Sequence, residues 1–116
     1  MINRAVLILK YKETAIKWIN DSESYKDSQT ITSDDINNDS TVYLVSEEDS
    51  ESQETLNAWL ELNYTQLFKS ELSTWYSDEN DWPQERTFAL FNQWFNAECH
   101  TIIVDTVDGP IRDDDT

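Results

Sequence analysis

The sequence predicts a single α+β domain, a mixed or antiparallel sheet of three to four strands packed with about three helices in the order β-α-β-α-α-β. Three observations carry this. Short runs rich in β-branched and aromatic residues recur at 4–11, 41–46 and 100–107. Between the second and third lies an apolar stripe at helical spacing, about five turns long. Fourteen aromatic residues supply a core that a hydrophobic fraction of only 38% would otherwise leave in doubt. At about 150–250 Å² each, they can remove roughly 2,000–3,500 Å² from water.

The first run, Arg4 to Tyr11, is continuously apolar from Ala5 to Leu9 and reads as a strand buried on both faces. From Glu13 to Asn20 the residues Ala15, Ile16, Trp18 and Ile19 fall at helical spacing. Residues 21–40 are polar and weakly patterned, with Ser33-Asp34-Asp35 offering an N-cap for one helical turn. Thr41 to Ser46 is the second strand. The stripe Leu56, Trp59, Leu60, Tyr64, Leu67, Phe68, Leu72 and Trp75 then defines a long amphipathic helix, and Ser50 with Gln53 has the form of a capping box at its start. Ser77 to Asp81 breaks that helix, and Pro83 suits the first turn of the next, whose aromatic face is Phe88, Phe91, Trp94 and Phe95. His100 to Val107 reads as the third strand. The domain therefore spans 1–110, with a turn at Asp108-Gly109-Pro110 and an acidic tail at 111–116.

The composition excludes several classes of function. A single glycine cannot build a phosphate loop, a dinucleotide fingerprint or a nucleophile elbow. One cysteine and one histidine cannot make a four-ligand zinc site. Cys99 and His100 are neighbours on a strand and point to opposite faces, which argues against a catalytic pair. The apolar run near the N-terminus is too short for a secretory signal, and no stretch approaches the roughly 18 apolar residues of a membrane span, so a cytoplasmic protein without membrane partners is expected. No cofactor is expected. Asp105, Asp108 and Asp113 to Asp115 gather near the third strand but lack the alternation and terminal glutamate of a calcium loop. A carboxylate-based enzyme or cation-binding domain around Asp105 and Asp108 is the alternative function they support.

The net charge of −16 is unevenly spread. Residues 1–20 carry four basic side chains against Glu13, a net of +3, and the remainder carries four basic against twenty-three acidic, a net of −19. That field repels nucleic-acid phosphates and attracts basic proteins. Glu47, Glu48, Asp49, Glu51 and Glu54 favour the start of the long helix, where one or two carboxylates would satisfy the macrodipole. Together with Asp34, Asp35, Asp78, Glu79 and Asp81 they exceed any capping need and make a candidate acidic face for a partner. Trp82, set among polar residues before a proline, is the candidate anchor or hydrophobic staple.

Lys10-Tyr-Lys12, Thr41-Val-Tyr-Leu-Val45, Trp82-Pro83 and Glu98-Cys-His-Thr-Ile-Ile-Val-Asp-Thr-Val107 together resemble a family of small acidic bacterial proteins, over most of the chain. The resemblance implies no activity and transfers no catalytic or binding residue. By charge alone the chain is also similar to acidic proteins that imitate DNA and to acidic inhibitors of basic nucleases. The resulting expectation is a non-enzymatic interaction protein that turns an acidic surface to a basic protein, as a nucleic-acid mimic or inhibitor. Its alternatives are the carboxylate site above and a structural domain whose charge serves solubility.

Overall fold

The computed structural model describes residues 2–22, 31–38 and 40–113. Its elements are β1 (Arg4–Tyr11), α1 (Glu13–Asp21), α2 (Ser33–Asn37), β2 (Val42–Ser46), α3 (Gln53–Trp75), a 3-10 turn (Glu79–Asp81), α4 (Phe88–Trp94) and β3 (Phe95–His100). The fold is the expected small α+β domain, with a three-stranded antiparallel sheet in the order β2-β1-β3. It carries four α-helices among the described residues instead of about three, because Ser33–Asn37 closes a turn of its own.

Strand alternation sorts the sheet into two unlike faces. Ala5, Leu7, Leu9 and Tyr11 are buried, as are Val45 and Phe95 on the flanking strands, and Leu7 pairs with Tyr43 on one side and Cys99 on the other. Val6, Ile8 and Lys10 on the opposite face are only half-buried, and Val42 and Leu44 beside them are exposed. The expectation of a strand buried on both faces is therefore corrected. All the described helices that pack on the sheet contribute to one core, so the continuous apolar run of β1 feeds a core on one side only.

The long helix forms where the stripe predicts it, and Leu56, Leu60, Leu67, Phe68 and Leu72 are buried. Its cap is Ser52 with Thr55, not Ser50 with Gln53. Thr55 N donates to Ser52 Oγ (3.1 Å) and Ser52 N donates to Thr55 Oγ1 (2.9 Å). Ser50 instead donates to the Ser46 carbonyl within the preceding turn (2.9 Å). In α2 the cap lies one residue earlier than expected, at Thr32, which exchanges hydrogen bonds with Asp35. Pro83 does not open a helix. It lies buried in a connection, the residue before it is extended as a proline demands, and α4 starts later behind the Thr87 cap.

The third strand is also displaced toward the N-terminus. Phe95 leaves α4 directly as the first residue of β3, and Lys12 N donates to the Trp94 carbonyl (2.7 Å) at that junction. The β-rich segment 101–107 runs past the start of β1, where its described backbone pairing is a single bond from Ile2 N to the Ile103 carbonyl (2.8 Å). A β-prone segment with no neighbouring strand has no ladder to join. Residues 114–116 of the expected acidic tail lie outside the described residues, as does most of 21–30.

Phe68 is the centre of the core, fully buried and in ring contact with Phe91 (5.9 Å), Trp94 (5.1 Å) and Phe95 (5.6 Å), so one side chain joins α3, α4 and β3. Trp18 by contrast sits at the core's edge, 41% exposed and tilted against Trp94. Phe68→Ala is expected to lower stability by about 3–5 kcal/mol in denaturant unfolding. Leu62→Ser, at a position 84% exposed on the same helix, should stay within about 0.5 kcal/mol of the parent.

Candidate functional site

The one buried charged side chain among the described residues is Glu71, and it lies on the apolar stripe of α3, one turn after Leu67 and Phe68. Tyr11 of β1 donates its hydroxyl to Glu71 Oε1 (2.8 Å), and Tyr43 of β2 donates to Oε2. Trp75 Nε1 donates to Tyr11 Oη (3.0 Å). Ser70 Oγ stands 3.0 Å from Tyr43 Oη and, since the tyrosine's one proton goes to Glu71, supplies its own. Burial first, and then the Glu71 charge, pushes the Tyr11 hydroxyl well above the ordinary tyrosine value. Burial and the bond to Glu71 do the same for Tyr43. Sequence reading passed over this cluster, although a glutamate on an otherwise apolar helical stripe was a usable signal.

The hollow beside Glu71 is about 40 Å³, lined by Tyr11, Ile36, Ser40, Thr41, Thr74 and Trp75 with it. It has room for about one water, not for an organic substrate. With both oxygens bonded, Glu71 ties α3 to two strands and is a structural group.

The acidic residues singled out by sequence fall into two sets. Glu47, Glu48, Asp49, Glu51 and Glu54 lie around the entry to α3, beside the start of β1. Asp78, Glu79 and Asp81 follow the exit of α3, and Asp34 and Asp35 join that end because α2 is tied to Tyr11, whose backbone N donates to Asn37 Oδ1 (3.0 Å). The 23 residues of α3 hold the two sets about 34 Å apart. Several of these carboxylates have local work. Asp35 caps α2, Asp49 accepts from Ser46 Oγ (2.7 Å), and Asp78 accepts from Asn80 N (2.9 Å). Glu47, Glu48 and Glu51 do not. They line one open hollow of about 270 Å³ and form no ion pair among the described residues. Arg4 enters a neighbouring hollow of about 250 Å³ that shares Glu47 and Glu51.

Trp82 is not an exposed anchor. It is buried, its Nε1 donates to the Tyr76 carbonyl (3.1 Å), and the Arg86 guanidinium lies over its ring at 5.5 Å. Its indole belongs to the same core as the buried stripe of α3. Cys99 and His100 point to opposite faces of β3, opposite Leu7 and Val6 respectively. Burial pushes the Cys99 thiol up, the wrong direction for a nucleophile. His100 Nε2 instead meets Glu98 Oε2 at 3.0 Å, and that hydrogen bond holds the Glu98 carboxyl below its usual range. Asp105 and Asp108 are exposed on the segment after β3, and the Asp105 carboxylate accepts from Val107 N (2.9 Å). No group of three acidic, cysteine or histidine side chains among the described residues could hold a metal ion, and no described helix is long and apolar enough to cross a membrane.

Comparison with protein-family models, curated proteins and solved structures finds no match to this chain, so its geometry alone carries a functional reading.

The folded state keeps the Tyr11 and Tyr43 protons to higher pH than the unfolded chain does. Stability from these groups is whole below pH about 10 and is lost as pH rises above it. For Tyr11 the expected fall in unfolding free energy approaches about 1.4 kcal/mol per pH unit, with a smaller share from half-exposed Tyr43. Tyr11→Phe should flatten that slope in urea titrations between pH 9 and pH 11 (values of about one unit either side of the tyrosine range). Glu71→Leu, which strands two tyrosine hydroxyls, should cost about 3 kcal/mol, and adding Tyr11→Phe and Tyr43→Phe should recover part of it.

Proposed function

We propose that the protein is a non-enzymatic interaction protein whose acidic surface receives a basic protein partner, and that Glu47, Glu48 and Glu51 form the primary contact. One observation carries the reading: three carboxylates around one open hollow, none of them in an ion pair with a basic side chain among the described residues. Holding like charges together costs self-repulsion, and a lysine or arginine entering the hollow would relieve it. A guanidinium suits the arrangement best, because its planar fork can bond two carboxylates at once.

The charge pattern favours a partner with local basic patches over one built to grip a nucleic acid. B-DNA carries one charge per roughly 1.7 Å of axis. Here the exposed face of α3 between the two acidic sets holds Glu61 and little else that is acidic, so the charge comes as two islands and not as a row. The second island, at Asp78, Glu79 and Asp81, would meet a second patch or add long-range attraction. Such a field speeds encounter more than it deepens affinity. A cytoplasmic setting, where basic proteins and their nucleic acids abound, belongs to the same proposal.

An arginine-rich peptide titrated calorimetrically at low and moderate salt tests this. Binding should weaken as salt rises. Glu47→Gln, Glu48→Gln and Glu51→Gln together should weaken it at least about tenfold, the equivalent of about 1.4 kcal/mol. The matching change at Asp78, Glu79 and Asp81 should have a smaller effect. Equal losses from both triple variants would mean that net charge alone attracts the peptide, and the assigned site would fall.

A further inference from the structure

The face of the sheet turned away from the helices is the second surface that stands out. Eight large apolar side chains are well exposed among the described residues, and six of them are Val42 and Leu44 on that face and Ile102, Val104, Val107 and Ile111 on the segment after β3. Scattered single exposures need no cause, but this concentration does. Val6 and Ile8 extend the apolar surface inward from Val42 and Leu44, their pairing partners on β2.

We propose that a second copy of this chain covers this face, with the 101–111 arm of each protomer laid across the outer sheet face of its partner. Charge complementarity selects that occupant. The outward row of β1 reads Arg4, Val6, Ile8, Lys10, an apolar centre with a cation at each end. On the arm, the apolar Ile102 and Val104 are followed on the C-terminal side by the carboxylates of Asp105 and Asp108. A chain of net charge −16 repels its own copy over most of its surface, and the outer sheet face, near the basic N-terminal stretch, is where opposite signs can meet. Glu98 also lies on this face, and its charge is engaged by His100.

The size and the backbone agree. An eleven-residue arm in extended form reaches about 36 Å, more than the width of a three-stranded sheet. The arm and the outward residues of the sheet together come to about 20 residues, the lower end of the roughly 20–30 a side in a stable interface. β3 is an edge strand, so its outer backbone groups are open to pairing with the partner, while within 101–107 the Ile103 carbonyl already accepts from Ile2 N. The arrangement is isologous, as a two-fold dimer requires, since each copy gives an arm and receives one.

Sedimentation equilibrium of the full chain, from low micromolar concentration upward, should report twice the 13.6 kDa monomer mass. Ile102→Glu with Val104→Glu lies outside the core, so circular dichroism should be unchanged while the dimer dissociation constant rises at least about tenfold. Arg4→Glu should weaken the dimer, and Asp105→Lys with Asp108→Lys in the same chain should restore it. A wild-type chain that stays monomeric would overturn the proposal. So would a dimer indifferent to the arm variant, or a loss at Arg4 that the reversed arm fails to rescue.

Discussion

A carboxylate in the middle of a helix–sheet interface is tolerable only if its hydrogen-bonding capacity is met, and that requirement sets the geometry of this domain. Glu71 is met by a tyrosine from each of two strands, and both tyrosines must lie on the same sheet face to reach it. The antiparallel register does this, since Leu7 sits opposite Tyr43 and Tyr11 lies on the same side of β1. With both bonds made, α3 can neither rotate nor slide without stranding a buried charge. Phe68, one turn earlier, is thereby aimed at α4 and β3, and Trp75, one turn later, is set to donate to Tyr11. Apolar packing supplies the bulk of the stabilisation, and the polar clasp selects one packing among many.

The consequence of putting every described helix against one face is an asymmetric sheet. Its inner face is filled with aromatic side chains, while the outer face keeps Val6, Ile8, Val42 and Leu44 with nothing of the same chain over them among the described residues. The direct passage from α4 into β3 at Phe95 adds to this. It uses Phe95 to His100 for the ladder and leaves the more β-prone residues 101–107 beyond the end of β1. The unclaimed strand thus comes from a ladder that begins early because Phe95 belongs to the core, and the unclaimed apolar sheet surface from helices gathered on the other face.

Charge follows the same division. Apart from Glu71, most acids among the described residues lie on helix ends, turns and the C-terminal segment, where hydration or a helix N-terminus supports them, with Glu61 on the exposed face of α3 and Glu98 on β3 as exceptions. Some are held by caps and turns. Glu47, Glu48 and Glu51 are not, and they stand around a hollow large enough for an incoming cationic side chain. Two of the four basic residues of the first twenty, Arg4 and Lys10, lie in the sheet's outer row, so the molecule has an acidic end surface and an apolar sheet face with a cation at each end of its central strand. These are surfaces of different chemistry.

Local pattern alone determined the class of fold, the long helix and its buried stripe, and the first two strands. Each depends on periodicity or composition within a window of a few turns, which is where hydrophobic spacing acts. It also placed Cys99 and His100 on opposite faces, since alternation is a property of the strand itself. Tertiary structure decided the rest. Trp82 stood open as anchor or hydrophobic staple because its neighbours in sequence are polar, and its burial beside the Tyr76 carbonyl was decided by core residues distant in sequence. The third strand went to Phe95–His100, whose residues are poorer β-formers than 101–107, because a ladder needs a partner strand at hand and a buried aromatic to anchor it. The two acidic sets were joined in sequence reading and divided in space, since a helix of 23 residues is a rigid spacer that no list of charges reveals. Glu71 was written on the stripe throughout, but only the two tyrosines brought to it from separate strands turned an apparent flaw in the pattern into the group that fixes the fold.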